Sequence, residues 1–465
     1  MPLTETQLER ETRDVGGPDA PRVPSVRKRV GVSLARSLFA VIAGTLVLRL
    51  AAQTMGLMLQ SYFESISNNH FPLSHTVTGL ITASFFIAEM IGAPVLGAMS
   101  DRYGRKLFIY LGPILGAIAV QITSMTIIIW LLVFTRILEG LSTASSVPAT
   151  LGYISEATAG RPRLRARIMG LFEITLVGGI ALGAVASGYL WEFFGNPRDI
   201  LGIHLISPAF SLNGLIYLLS LAVFVWGLRN ARRMKAKRPM GAAHEIRRHL
   251  AILRTPSVWR FVPAWLAIFS LIGLWINHSP RLFKGQDRLG GQLLMGSITE
   301  VQFGNGFAFL AIFFGAGVLA WSFYLGRWRK TSVMLIATLG LFFTLASVYA
   351  INHLGSFSSF FYYPLMVALF IGLFVLSGFT PAALTYLADV TESHREDRGS
   401  IMGLYSVFLG VGQFIGTALG GKFADWGGID GLLFLSAILG LVTVYTLVNL
   451  RRQEMPLRIA SSNSP

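Results

Sequence analysis

The chain is a series of long apolar runs that are separated by short polar, basic or glycine-containing segments. The runs reach the roughly 20 residues that a helix needs to cross the hydrocarbon core of a bilayer. They are continuous rather than alternating, so the pattern favours helices over the strands of a membrane barrel. The predicted spans are 36–63, 77–99, 108–128, 130–154, 166–191, 207–228, 257–278, 304–325, 332–352, 359–386, 399–423 and 430–450. The pattern predicts an all-α membrane protein with twelve transmembrane helices.

Composition agrees with this prediction. Of the 465 residues, 53% are hydrophobic and only 13% are charged, which is too apolar for a soluble protein of this length. The first 35 residues are polar and lack the apolar core of a signal peptide, so we expect a flexible tail that stays in the mature chain. The chain has no cysteine, which excludes disulfides and thiolate metal sites.

Lysine and arginine are distributed unevenly between alternate loops. If both termini face the cytoplasm, 32 of the 39 basic residues lie on that side, five lie in outer loops, and Arg49 and Arg136 lie within helices. This distribution obeys the positive-inside rule. It also accounts for the net charge of +16 without nucleic acid, because basic residues on this side face anionic lipid head groups. We therefore expect an integral protein of the inner membrane with both termini in the cytoplasm.

Two segments that lie 233 residues apart match without a gap. One is "YISEATAGRPRLRARIMGLFEITLVGGIALGAVASGYLWEFFG", from Tyr153, and the other is "YLADVTESHREDRGSIMGLYSVFLGVGQFIGTALGGKFADWGG", from Tyr386. The glycines that share a register in the two segments are Gly179 and Gly412, Gly183 and Gly416, and Gly188 and Gly421. The match indicates that the chain consists of two six-helix halves built on one plan.

This duplication divides the chain and suggests its function. We expect a flexible tail at 1–35, a six-helix bundle at 36–228, a basic linker at 229–256, a second six-helix bundle at 257–450 and a tail at 451–465. Parallel halves of this kind hold a substrate site between them near the bilayer midplane and give alternating access by rocking. The duplication therefore favours a transporter over a receptor or an enzyme.

The segment "GAMSDRYGRK", residues 97–106, lies between the second and third predicted helices. It resembles a signature of the major facilitator superfamily. The matching residues are Gly97, Asp101, Arg102, Gly104, Arg105 and Lys106. The resemblance implies a gating loop, in which Asp101 and its basic neighbours form a charge latch that breaks when the halves rock. The corresponding segment "GRWRK" (326–330) has no aspartate, so any latch there is weaker.

Two further segments extend the resemblance. In "RILEGLSTA", Arg136, Gly140 and Ala144 resemble the next motif of the family. The segment "ITLVGGIALGAVASG" is similar to the glycine-rich helix of drug/proton antiporters, although it lacks their Gly-Pro pair. The resemblance is strongest to this branch. The glycines that we expect to pack helices closely are Gly140, Gly179, Gly183, Gly412 and Gly416.

Polar residues form a stripe on the first helix. At 100° per residue, Arg49, Gln53, Gly56 and Gln60 share one face. An arginine at the centre of a spanning helix costs ~3 kcal/mol on insertion scales, so such residues normally face a cavity or a paired charge. The resemblance implies that the first and fourth helices of each half line the cavity. The residues that we expect to line it are Arg49, Gln53, Gln60, Arg136, Asn277 and Gln413.

Three glutamates within predicted helices are candidates for proton coupling: Glu89, Glu139 and Glu173. A carboxylate in a cavity can load or release a proton when a neighbouring arginine moves away. Glu89 and Glu139 come first, because Glu89 lies near midspan and Glu139 lies one turn from Arg136. Arg136 and Glu139 are also open to a structural interpretation, in which the two charges neutralise each other as a packing pair.

The charges of the first half and the phenylalanines of the second half suit a substrate with a polar end and a hydrophobic remainder. We expect a monomeric, proton-coupled transporter that exports an amphiphilic or lipophilic compound by alternating access. Export is implied by the resemblance to drug antiporters. The alternative is an importer of an organic anion, with Arg49 and Arg136 as the carboxylate clamp. The sequence has no HExxH, GxSxG or metal-ligand cluster, so we expect no enzyme, cofactor, metal or nucleic-acid partner.

Overall fold

The computed structural model describes residues 26–200, 202–228, 256–285, 289–325, 328–354, 360–390 and 398–462. Within these ranges nearly every residue is helical. In the first half the helices are α1 (Val26–Asn69), α2 (His75–Tyr103), α3 (Arg105–Thr123), α4 (Ile129–Ala157), α5 (Pro162–Phe194) and α6 (Pro208–Gly227). Between α5 and α6, a short strand β1 (Arg198–Ile200) pairs antiparallel with β2 (Ile203–Leu205).

The second half repeats this order with two interruptions. Its helices are α7 (Pro256–Lys284), α8 (Glu300–Tyr324), α9 (Lys330–Leu354), α10 (Tyr362–Leu376), α11 (Phe379–Val390) and α12 (Arg398–Ser462). The predicted span 359–386 is split into α10 and α11 by a turn at Ser377 and Gly378, where the glycine packs against the ring of Trp321. Helix α12 covers two predicted spans and breaks at Gly428, whose φ of 58° is left-handed and suits glycine.

Ten helices among the described residues are long and apolar enough to cross a membrane. Helix α4, which was predicted to be the fourth span, is not among the ten, because its charged and hydroxyl residues lower its hydropathy. Most of α12 counts as one span despite its break at Gly428. The predicted all-α membrane fold is confirmed, and the number of twelve spans stays a prediction.

The helices extend beyond the apolar runs at both ends of the chain. Helix α1 begins at Val26, inside the segment 1–35 that was predicted to be a tail, and α12 continues to Ser462, inside the predicted tail 451–465. Hydropathy marks only where a helix enters the membrane, whereas good helix formers such as those in "RRQEM" continue it into water. The remainder of the first tail and residues 229–255 of the predicted linker lie outside the described residues.

Each half has its own hydrophobic core. One cluster of buried residues comes from α1 to α6 and a second comes from α7 to α12. A third, small cluster joins Leu57, Ala181 and Ala184 of the first half to Phe303 and Ala308 of the second. The halves therefore pack as two bundles, each around its own core, and they also contact each other where α2 meets α12 and where α5 meets α8.

The glycines in the shared register make equivalent contacts in the two halves. A Cβ atom added at Gly183 of α5 would lie 2.7 Å from the carbonyl oxygen of Leu50 on α1. A Cβ atom added at Gly416 of α12 would likewise clash with the backbone of Ser270 on α7. Gly188 and Gly421 approach the first residues of α8 and α2, respectively, in the opposite half. Glycines that correspond in the sequence match therefore contact corresponding helices in the two halves.

We expect Gly183→Leu to destabilise the fold strongly, because the added side chain meets the backbone of α1 rather than a movable side chain. Overpacking of this kind costs about 3 kcal/mol at the upper end of the usual range. Thermal unfolding and the yield of monodisperse protein would measure the loss. Gly170→Leu on the same helix is the control, because a Cβ atom there has no neighbour within 4 Å. Equal stability of the two variants would contradict the prediction.

Candidate functional site

The polar stripe of α1 faces the interior of the protein. From Ala51 to Ile66 no residue of α1 is exposed, so this part of the helix does not face the bilayer. Arg49 and Gln53 are half-buried, and Gln60 is 2% exposed and donates a hydrogen bond of 3.3 Å to Thr82 Oγ1 on α2. The stripe therefore contacts an internal space at its Arg49 end and a neighbouring helix at its Gln60 end.

Arg49 lies in the electric field of two carboxylates. Glu89 on α2 and Glu173 on α5 both attract its positive charge, although no direct ion pair joins the three residues. The guanidinium lies 5.6 Å from the centre of the Phe172 ring, and Nε has no hydrogen-bond partner. Glu89 is half-buried and Glu173 is exposed. Three of the predicted residues therefore form one cluster, with one positive charge and two groups that can bind a proton.

Arg136 and Glu139 do not belong to this cluster. They form an ion pair within α4, and each is almost completely buried, with 3% and 4% of its surface exposed. Arg136 also interacts electrostatically with Tyr217 on α6. One turn away, Gly140 packs against the backbone of Phe85 on α2. The pair therefore lies inside the first bundle, which favours the structural interpretation of these two charges.

We expect Arg136→Met to destabilise the protein by about 3–5 kcal/mol, because it leaves the carboxylate of Glu139 buried without its partner. The double variant Arg136→Met, Glu139→Leu removes both charges and should recover most of the stability. Thermal unfolding of the two variants and the parent protein would measure this difference. Recovery of transport in the double variant would assign the pair to packing, whereas a stable but inactive double variant would assign it to transport.

The predicted residues of the second half contribute less. Asn277 on α7 is 8% exposed, and its amide donates 2.9 Å hydrogen bonds to the carbonyl of Gly273 and to Thr417 Oγ1 on α12. Gln413 on α12 is half-buried, and its backbone lies against Gly273. Asn277 thus joins two helices of its own half, and Gln413 remains a candidate for lining the cavity.

The segment 97–106 forms a charge cluster within the first half. Arg105 pairs with Asp101 and, through Nε at 3.1 Å, with Glu156 at the end of α4. Gly104, with a φ of 110°, ends α2 and allows α3 to start at once. Lys106 Nζ donates a 2.6 Å hydrogen bond to the carbonyl of Leu228 after α6. The cluster thus ties together four helix ends of one bundle.

The remaining two residues of the motif lie beside this cluster. Gly97 approaches Pro148 on α4, where an added Cβ atom would lie 3.4 Å from the proline Cβ. The guanidinium of Arg102 lies 5.4 Å from the Tyr103 ring. The sequence did not indicate Glu156 as a partner of this loop, although its corresponding residue in the second segment, Asp389, is also acidic.

A charge network joins the two halves at the end of the bundles opposite segment 97–106. Arg281 on α7 is 2% exposed, pairs with Glu64 on α1 at 2.8 Å and donates a 2.7 Å hydrogen bond to the carbonyl of Leu73. Lys284 pairs with Glu300 at the start of α8 at 2.5 Å and also contacts Ser61 on α1. These contacts connect the ends of α1, α7 and α8.

A second contact joins the halves beside this network. Asp425 on α12 accepts three hydrogen bonds at the start of α2, from the backbone N–H of His75 (2.6 Å), the backbone N–H of Thr76 (2.8 Å) and Thr76 Oγ1 (2.5 Å). A carboxylate at a helix N-terminus satisfies unpaired amides and interacts favourably with the helix dipole. One half of the protein thus caps a helix of the other.

These contacts close one end of the space between the halves. Among pairs of described residues, every hydrogen bond that joins the halves involves the α1–α2 region, the α7–α8 region or Asp425. We call this the closed end, and we call the end with segment 97–106 the open end, because no hydrogen bond between a pair of described residues joins the halves there. The sequence predicted neither contact, because Arg281 and Lys284 are two of the five basic residues that were assigned to outer loops. Residues of opposite charge near helix ends in both halves were the available signal.

Two bundles of long apolar helices, with charged side chains buried where the bundles meet, are the arrangement expected of a membrane transporter. The chain belongs to the Major Facilitator Superfamily, whose model matches residues 31–361 and 289–462. It is 23% identical to multidrug resistance protein 1 of Bacillus subtilis (strain 168) over 360 residues, which are 77% of this chain and 83% of that protein. It is 22% identical to the quinolone resistance protein NorA of Staphylococcus aureus (strain MRSA252) over 355 residues, 75% of this chain and 80% of that protein.

Solved structures share the fold. The nucleoside transporter NupG superposes with a TM-score of 0.66 at 12% identity, over 89% of this chain and 98% of that one. A bacterial homologue of the human lysosomal transporter Spinster, in an inward-facing and unoccupied conformation, superposes with a TM-score of 0.62 at 16% identity, over 90% and 95% of the two chains. The predicted family is confirmed, and the protein is an integral membrane transporter of small molecules rather than an enzyme.

Proposed function

We propose that this protein exports an amphiphilic or lipophilic organic compound in exchange for protons. The observation that supports the proposal is the cluster of Arg49 with Glu89 and Glu173 in a space that is closed at one end. With both carboxylates ionised, the cluster carries one net negative charge, which suits the positive end of an amphiphile. Protonation of one carboxylate makes the cluster neutral and weakens this attraction. Substrate and proton would then compete for one site, which is what exchange requires.

In this proposal the closed end faces the outside, because the basic loops and both termini belong to the cytoplasmic side. The substrate enters from the cytoplasm or the inner leaflet through the open end. The network of Arg281, Glu64, Lys284 and Glu300 then breaks as the halves rock, and the cavity opens to the outside. A proton from the outside binds the cluster, the substrate leaves, and the halves return.

The alternative, import of an organic anion, requires Arg49 and Arg136 to bind one carboxylate together. Arg136 is buried in the first bundle and is already paired with Glu139. Its guanidinium would have to leave that partner in order to bind an anion, which is costly for a buried ion pair. The packing of Arg136 therefore favours the exporter. We also propose that the protein acts as a monomer in the inner membrane, since each monomer contains both halves of the site.

Reconstitution in liposomes with an imposed pH gradient tests the proposal. We expect tetraphenylphosphonium, a lipophilic cation, to enter one compartment while protons leave that compartment. An internal pH dye would record this exchange. The matched probes are 1-naphthoate, a lipophilic anion, and uridine, an uncharged nucleoside. Proton movement with 1-naphthoate alone, above the rate in protein-free liposomes, would establish the alternative. Movement of any probe above that rate without proton movement would contradict proton coupling.

A further inference from the structure

Gly56 is the glycine of the α1 stripe, and neither packing nor backbone conformation requires a glycine at this position. A Cβ atom added there has no heavy atom within 4 Å, whereas one added at Gly179 or Gly183 would lie 2.5 Å or 2.7 Å from α1. Gly56 is also absent from the residues with positive φ, and it lies within a regular helix. What the glycine provides is therefore open space next to the helix.

This space faces other helices rather than lipid. No residue of α1 between Ala51 and Ile66 is exposed, and Gly56 itself is partly buried. One turn further toward the closed end, Gln60 is hydrogen-bonded to Thr82. The adjacent Leu57 is 1% exposed and packs with Phe303 in the cluster that joins the two halves. The walls next to Gly56 are thus apolar or neutral.

The charged cluster lies at the other end of this space. Arg49 precedes Gly56 by seven residues, which is roughly 10 Å along a helix axis at 1.5 Å per residue. A substrate with its charged end at Arg49, Glu89 and Glu173 would therefore have room for a ring system beside Gly56. Pockets of this kind, apolar with a few charged groups at one end, fix the orientation of an amphiphile.

We propose that Gly56 determines the size of the hydrophobic body that the transporter accepts. This inference rests on the proposed function and adds to it the orientation of the substrate, with its apolar rings toward the closed end and its charge toward the open end. A larger side chain at position 56 fills the space without meeting the backbone. It excludes bulky substrates and leaves the charged cluster unchanged.

Transport by a graded series of variants tests this role. The series is Gly56→Ala, Gly56→Leu and Gly56→Phe, and the two probes are phenyltrimethylammonium, with one ring, and tetraphenylphosphonium, with four. We expect Gly56→Phe to lower the rate for tetraphenylphosphonium relative to phenyltrimethylammonium by at least about 10-fold, since exclusion of even a small apolar group changes specificity by that order. Gly56→Ala should change the ratio least. The control is Gly170→Phe, where added bulk also meets no atom within 4 Å.

An unchanged ratio in Gly56→Phe, or the same change in Gly170→Phe, would overturn the inference. A second measurement, the reactivity of a thiol at position 56, does not depend on transport. The chain contains no cysteine, so Gly56→Cys would introduce its single thiol. We expect a small methanethiosulfonate to react with this thiol faster than a bulky methanethiosulfonate, each rate being taken relative to the rate with a free thiol, and we expect tetraphenylphosphonium to protect the thiol. If the parent protein moves neither cation, the proposed exchange fails, but the thiol still tests the space. Reaction that is absent or independent of reagent size would then overturn the inference.

Discussion

Glu89→Gln is expected to reduce substrate-driven proton movement in liposomes to the rate of protein-free vesicles. Glutamine has almost the same shape as glutamic acid, so the packing of α2 should persist, but it cannot bind and release a proton. Glu89 combines the two properties that a proton carrier needs, since it is half-buried and it interacts with Arg49. The same variant should still bind tetraphenylphosphonium, because Glu173 remains, and binding can be measured by equilibrium dialysis.

Two matched variants identify the carrier. Glu173→Gln removes the other carboxylate near Arg49, and the double variant Arg136→Met, Glu139→Leu removes a carboxylate that is buried and paired elsewhere without leaving its partner charged. We expect Glu173→Gln to weaken cation binding more than proton movement, because Glu173 is exposed whereas Glu89 is half-buried. Coupling that survives in Glu89→Gln but is lost in Glu173→Gln would exchange the two roles. Coupling that survives in both variants would exclude the cluster as the proton site.

Arg281→Ala is expected to open the closed end. The substitution removes the ion pair with Glu64 and the hydrogen bond to the carbonyl of Leu73, and both of these contacts join the two halves. Loss of one partner from a buried ion pair costs at least about 3 kcal/mol. Applied to the closed state alone, this cost shifts the ratio of the two conformations by roughly 100-fold.

The single thiol of Gly56→Cys can report this shift. In vesicles of known orientation, a membrane-impermeant thiol reagent added on the side of the closed end should react slowly with Gly56→Cys and much faster after the further substitution Arg281→Ala. Arg198→Ala is the matched control, because Arg198 lies in the β1–β2 hairpin, is exposed and bonds only locally to the carbonyl of Phe193. Equal reaction rates with and without Arg281 would show that the network does not hold this end closed.

The sequence predicted the parts of the fold that depend on local pattern. Apolar runs located the helices, and the register of Gly183 and Gly416 indicated equivalent contacts of α5 and α12, because close helix approach requires glycine at fixed spacing. Hydropathy could not show where α1 begins or that the span 359–386 is broken. The first depends on helix formation in water, and the second depends on the packing of Gly378 against Trp321.

The site was predicted only in part, for a physical reason. Arg49 and Arg136 look alike in sequence, since each is an arginine within an apolar helix, and packing alone places one near Glu89 and buries the other with Glu139. The closed end was missed entirely. Its partners, such as Glu64 and Arg281, lie in different halves of the chain. A sequence pattern carries no information about which charges of two separate bundles will meet.

The capping of α2 and α8 differs, and this difference bears on what opening requires from the solvent. Helix α8 is capped within its own half by Thr299 and Gln302, so its first amides stay bonded when the halves separate. The first amides of α2 are bonded to Asp425 of the other half, and water must replace that carboxylate. Opening therefore requires water to replace the partners of backbone amides at the start of α2 but not at the start of α8. Excluded osmolytes, which lower the activity of water, should slow this transition more than they slow substrate binding.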